Sequence, residues 1–240
     1  MENRCVNFIV IMLMAFGLFH SSFGQSIDEA KRIIEDCYSS QKNFSFSKGK
    51  ALRIVVRQTT VPKSEKGDIQ DVRYEMISNG NRKVFFSPEM DVIQGDSLLA
   101  IAYHDMKKLT LDRLQENSKG LHQHENNPMD MFFHCLSVES AKWEKNHQLS
   151  VEMVGDVECS EKYGISSVVL WADTVTKHLN FMKVRFQEKH PLQYLEYRIE
   201  VYDPLFQETL VTKGVKELIG RSGELEANYA DYKIVRTPQN

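Results

Sequence analysis

The sequence predicts an α+β protein: an antiparallel β-sheet covered by a few helices. Three observations carry that expectation. Between Asp71 and Leu111, short runs rich in Val, Ile, Tyr and Phe alternate with turn dipeptides, which is the pattern of hairpin-linked strands. A second set of such runs fills Gln148 to Tyr202. Ahead of both, Ser26 to Gln41 repeats apolar residues at three- and four-residue spacing, the period of an amphipathic helix. An antiparallel sheet has one face to bury, and the flanking segments are the natural cover.

The elements follow in order. Val6 to Phe19 is almost wholly apolar behind a short start carrying Arg4, and Ser22 and Gly24 stand at −3 and −1 of a cut before Gln25. That is the form of a cleaved signal peptide over 1–24; a spanning helix needs about 20 apolar residues. Cys5 precedes the apolar run, so a lipid-anchored mature form is not expected. Removing 24 residues from 240 leaves 216, read as a single domain over 25–240 in the periplasm. No cofactor is implied.

In Ser26–Gln41, Ser26 can cap, Asp28 and Glu29 suit the first turn, and Ile27, Ala30, Ile33, Ile34, Cys37 and Tyr38 form one stripe. Such a stripe normally packs on its own domain. Ala51 to Val61 reads as a strand, Pro62 to Asp68 as a polar turn, and Ile69 to Ser78 as the returning strand. Asn79-Gly80 then signals a type I′ hairpin, whose central residues need positive φ, and Gly95-Asp96 a second hairpin. The stretch from Asp71 to Leu111 therefore reads as a meander of four or five strands.

Asp112 to Pro128 is polar. Asn127 can cap a short helix running from Pro128 to Leu136, with Met129, Met131, Phe132, Phe133 and Leu136 making it strongly apolar. Strands resume at Gln148–Val154, Tyr163–Ala172, His178–Gln187 and Gln193–Tyr202. In the last, Leu195, Tyr197, Ile199 and Val201 alternate with Glu196, Arg198 and Glu200, a half-buried strand pattern. Lys213–Ile219 suits one or two helical turns and Tyr229–Val235 a final strand.

Composition narrows the function. Thirty Lys and Arg against 33 Asp and Glu give a net charge of −3, without the basic surface that a nucleic-acid partner needs. Beyond the signal, Cys37, Cys135 and Cys159 are odd in number. They can be buried small apolar residues, or two can pair, Cys135 with Cys159 for example. His122, His124 and His134 lack the spacing of a zinc set, Gly-x-Ser-x-Gly is absent, and no Gly-rich phosphate loop precedes a helix. The reading is therefore not an enzyme.

The soft and aromatic residues say more. Met129, Met131, Phe132, Phe133, Leu136, Met153, Trp171, Phe181 and Tyr197 either fill an ordinary core or line an apolar cavity, where flexible Met and flat rings accept a lipid chain.

Several segments in order resemble the lipoprotein carrier superfamily of LolA- and LolB-like proteins. They are the helix at Ser26–Gln41, the strand at Ala51–Val61, Tyr74 through Ser87-Pro88, the Gly95-Asp96 hairpin leading into Ala102-Tyr103 and Leu109, and the apolar segment at Asn127–Leu136. The resemblance implies a strongly curved antiparallel sheet, an incomplete barrel, with helices closing it over an apolar cavity. Ser26–Gln41 and Pro128–Leu136 would be the covers. The second strand opens Asp71-Val-Arg-Tyr-Glu-Met, departing from the family's Trp/Pro-rich start, so a lipoprotein-release role is not carried over.

The expected function is a soluble periplasmic carrier or chaperone, monomeric, touching membranes only transiently, whose partner is an acyl chain or a lipoprotein. The competing expectation is a non-catalytic scaffold with a filled core that binds another envelope protein through a sheet edge or surface patch.

Overall fold

The computed structural model describes residues 27–41, 49–64, 66–80, 82–95, 97–113, 135–144, 147–207, 218, 225 and 227–236. Helix α1 spans 27–41. The strands are β1 (Lys50–Pro62), β2 (Gln70–Ser78), β3 (Lys83–Phe86), β4 (Met90–Gln94), β5 (Leu98–Tyr103), β6 (Lys108–Arg113), β7 (Leu136–Trp143), β8 (Gln148–Gly155), β9 (Ile165–Asp173), β10 (His178–Phe186), β11 (Leu192–Gln207) and β12 (Lys233–Arg236). Helix α2 (Val157–Tyr163) lies between β8 and β9. The chain forms two compact units: one takes the described residues of Met1–Asn43 and Cys135–Gln187, the other those of Phe44–His134 and Glu188–Asn240.

The first unit sets four strands in the order β10-β9-β8-β7. Register aligns Leu149 with Ala172, Val151 with Leu170 and Met153 with Val168. Opposed residues share a face, so these form one apolar surface, and each is at most 2% exposed. From β10, Leu179, Met182 and Val184 join it opposite Ala172, Leu170 and Val168. A bulge at Asn180 puts Phe181 on the other face, opposite Trp171. Helix α1 belongs to this unit, with Ala30, Ile34 and Cys37 at 1–2% exposure. The Cys37 thiol lies 3.9 Å from the Asp173 carbonyl, and Gln41 Nε2 donates to the Leu179 carbonyl at 3.3 Å. The stripe read from the sequence is the buried stripe of the helix.

Helix α2 was not expected. Asp156 caps it by accepting from the Cys159 amide at 2.7 Å, and Gly164 ends it in the left-handed region (φ 65°), the usual helix C-terminal stop. Cys159 on this helix is bonded to Cys135, and Cys37 stays free and buried. Of the two cysteine readings, pairing holds for Cys135 and Cys159 and simple burial for Cys37. A Cβ on Gly155 would lie 3.1 Å from the Ile165 carbonyl and 3.4 Å from Cys159 Cβ, so glycine permits the close approach there.

The second unit has the order β12-β6-β5-β4-β3-β2-β1-β11. The Asp71–Leu111 stretch is the expected meander, β2 to β6, each strand antiparallel to the next. Strand β12 is parallel to β6, the exception to the antiparallel expectation. The core gathers Val84, Ile93, Ala100, Ala102 and Leu109 from the sheet under Leu218, Tyr229 and Tyr232.

The predicted class holds: α+β, a mostly antiparallel open sheet with few helices. Four local expectations are corrected. Asn79 faces Arg82 across the first hairpin, donating to its carbonyl at 3.1 Å, so Gly80 (φ 93°) is the first central residue rather than the second. The Asn79 side chain, which accepts from the Arg82 amide at 2.9 Å, fixes that frame. At the second hairpin Gly95 donates to Leu98 at 2.8 Å, which moves that turn one residue on as well. Leu136 opens β7 instead of ending a helix, paired with Gly155. In β11, Val55 and Val56 meet Val201 and Ile199; the extra residue, Glu200, flips Val201 away from the Tyr197 and Ile199 face. Of the Pro128–Leu136 segment, Cys135 is helical, and residues 128–134 lie outside the described residues, as do the histidines at 122, 124 and 134.

Candidate functional site

The two faces of the sheet in the second unit have different chemistry. Across β2 to β6, one row runs Glu75, Phe86, Asp91, Ala102, Leu109 and the next Ile77, Val84, Ile93, Ala100, Leu111. This is the core face. Asp91, buried on this face, accepts from the Tyr229 hydroxyl at 2.7 Å and lies 3.1 Å from His104 Nε2. The other ring nitrogen of His104 is 2.6 Å from the Tyr232 hydroxyl. A buried carboxylate needs such partners, and here they tie Tyr229 and Tyr232 to the sheet. Toward β1 and β11 the same face becomes ionic. Arg53 pairs with Glu75 at 2.6 Å, Arg73 with Glu200 at 2.9 Å, and Arg57 with Asp71. Hydrogen bonding from the Arg57 guanidinium holds the Asp71 carboxyl below its ordinary range.

The opposite face carries a half-buried apolar strip, flanked on one side by Ser78, Lys83, Gln94 and Asp112. Tyr202, Ile54, Met76, Phe85, Val92, Ile101 and Thr110 stand directly opposite one another across seven strands, β11 through β6. At about 4.8 Å per strand this row is roughly 29 Å long. Beside it lies a second row, Ile199, Val56 and Tyr74, and then Tyr197, Gln58 and Val72. None of these side chains is buried; all are half-buried except Met76, which is 37% exposed. The Tyr74 and Phe85 rings stack at 5.5 Å and 24°. Burial pushes the Tyr74, Tyr197 and Tyr202 phenols above their ordinary value, so they stay neutral at physiological pH. The arrangement presents a long half-exposed apolar strip edged by tyrosine hydroxyls, suited to lying against a hydrocarbon chain.

Among the described residues singled out from the sequence, Tyr197 alone belongs to this strip. Leu136 and Met153 lie in the first unit and are buried at 6% and 1%. Trp171 and Phe181 are also in that unit, with ring centroids 4.5 Å apart, on the face away from Met153. Met129, Met131, Phe132 and Phe133 lie outside the described residues. Sequence reading missed Ile54, Val56, Tyr74, Met76, Phe85, Val92 and Ile101 because alternation marks both faces of a strand as apolar here. The usable signal was that β1, β2 and β3 carry bulky residues at adjacent positions, such as Phe85 and Phe86.

No protein-family model and no curated protein matches this chain. Solved structures do. An uncharacterized conserved protein from Thermus thermophilus has TM-score 0.45 and 7% identity, covering 87% of this chain and 99% of that one. A LolA superfamily protein from Nitrosomonas europaea has TM-score 0.31 and 11% identity, covering 77% and 97%. MucB in complex with MucA(peri) has TM-score 0.39 and 9% identity, covering 79% and 60%.

Proposed function

We propose that this chain is a periplasmic carrier or chaperone that holds the acyl chain of a lipid or lipoprotein against the apolar strip of its second unit. The supporting observation is the seven-strand row from Tyr202 to Thr110, whose bulky side chains are neither sealed in a core nor replaced by polar ones. Each methylene removed from water there contributes about 0.8 kcal/mol, so a few suffice for reversible capture. Among the described residues no helix is long and apolar enough to cross a membrane.

The test is uptake of a fluorescent long-chain fatty acid by the chain lacking residues 1–24, with native mass spectrometry of the protein as purified. Saturable uptake is expected. Met76→Glu, in the middle of the row and already the most exposed of its members, should weaken it at least ten-fold while leaving the unfolding midpoint unchanged. Undiminished uptake in that variant, or none in the parent, would overturn the assignment and leave the scaffold reading in its place.

A further inference from the structure

The strip has a charged end, and this deepens the carrier reading on which it rests. Beside the row on the same face, Met90, Tyr103, Lys108 and Lys233 stand opposite one another across β4, β5, β6 and β12. Lys108 and Lys233 are therefore side by side in directly paired register. They lie two residues along from Thr110 and Val235, the end of the apolar row. Like charges opposed across a ladder destabilise a sheet. Neither lysine has an ion-pair partner among the described residues. The nearby carboxylates do not serve them. Asp231 pairs with the neighbouring Lys107 at 3.3 Å, Asp105 accepts from the Met106 amide at 2.8 Å, and Asp91 points to the core face. In the interior of β1 and β2, by contrast, Arg53, Arg57 and Arg73 on the ionic face are each matched by a carboxylate.

We propose that Lys108 and Lys233 receive the head group of the lipid whose chain lies on the strip, and that this head is a phosphate monoester. The charge argument selects it. A phosphate monoester carries about −1.5 to −2 at neutral pH and can answer both ammonium groups, whereas a fatty carboxylate answers one. Lysine serves phosphate as a mobile point charge, and the Tyr103 hydroxyl, opposite Lys108, offers a neutral donor at the boundary between strip and head.

The experiment compares three single-chain lipids of equal acyl length by displacement of the fluorescent fatty acid: lysophosphatidic acid, the fatty acid itself, and the uncharged monoacylglycerol. The unaltered protein should bind lysophosphatidic acid at least ten-fold tighter than monoacylglycerol, and tighter than the fatty acid. The double variant Lys108→Ala, Lys233→Ala should lose that preference and keep its affinity for monoacylglycerol, while Lys108→Arg, Lys233→Arg keeps the preference. Retained monoacylglycerol binding shows that the variant is folded. Uptake of all three lipids without discrimination, equal affinity for fatty acid and phosphate, or a preference that survives in the double alanine variant would overturn the head-group assignment alone. Binding of none would overturn the carrier reading with it.

Discussion

The two units bury the same kinds of residue to different depths. In the first unit, Leu149, Val151, Met153, Val168 and Leu170 face the core at 0–2% exposure, and the unit also contains the buried stripe of α1. In the second, Ile54, Val56, Phe85, Val92 and Ile101 are just as apolar but stay half-buried, while the reverse face is sealed by Leu218, Tyr229 and Tyr232. Apolar area fully removed from water stabilises the fold. Area left half-wet contributes less to folding and remains for another molecule to cover. The contrast separates residues that hold the protein together from residues available for binding.

That separation is broken most directly by truncation. Leu149, 0% exposed, should cost about 2–5 kcal/mol when replaced by alanine, because both transfer and cavity terms apply. Ile101→Ala, on the half-buried row, should cost less than about 1.5 kcal/mol, since part of its surface is already wet. Denaturant unfolding of both variants at constant slope decides it. Equal losses would mean that the row is core.

The next effect concerns the first unit alone. The Cys135–Cys159 bond joins the residue before β7 to α2 across a sequence separation of 24, and the Asp156 amide donates to the Cys135 carbonyl at 3.0 Å beside it. Replacing both cysteines by serine should lower stability by about 2–4 kcal/mol. Lipid uptake at a temperature where the variant is folded should be unchanged. A loss of uptake without a loss of stability would tie the disulfide to the binding strip and blur the division drawn above.

How much of this was legible beforehand follows the same division. The α1 stripe was readable because every buried position in it falls on one 3.6-residue period, and the β2–β6 meander because turn residues punctuate it. Their registers were not, because Asn79 and Glu200 act through one side-chain hydrogen bond and one bulge. A single-residue slip moves every side chain to the other face. Asp156 and Gly164, eight residues apart, cap and end α2, a helix the sequence reading did not anticipate. The strip was illegible for a further reason: its residues alternate with apolar or ion-paired ones, and which face is sealed depends on Leu218, Tyr229 and Tyr232, more than a hundred residues away from most of the row. Exposure is a property of the tertiary cover, so which apolar side chains stay half-buried could not be read from composition.

The smallest effect tests how dry the sealed unit is. Burial, aided by the charges of Asp36 and Asp173, raises the Cys37 thiol to about 11 from an ordinary value of 9.0. The unfolded chain therefore releases this proton from about pH 9, and the folded chain holds it until about pH 11. Stability linked to Cys37 is fully present below pH 9 and is lost as pH rises between those values. The expected loss is roughly 2 kcal/mol relative to Cys37→Ala, and the difference between the two proteins cancels the tyrosines and lysines that titrate in the same range. Below about pH 9 the parent thiol should also resist a thiol-specific reagent until the protein unfolds. A parent and variant with parallel pH–stability curves, or a thiol that reacts at once at about pH 8, would show that water reaches α1. The first unit would then be as open as the strip, and the contrast between the two units would fail at its better-sealed end.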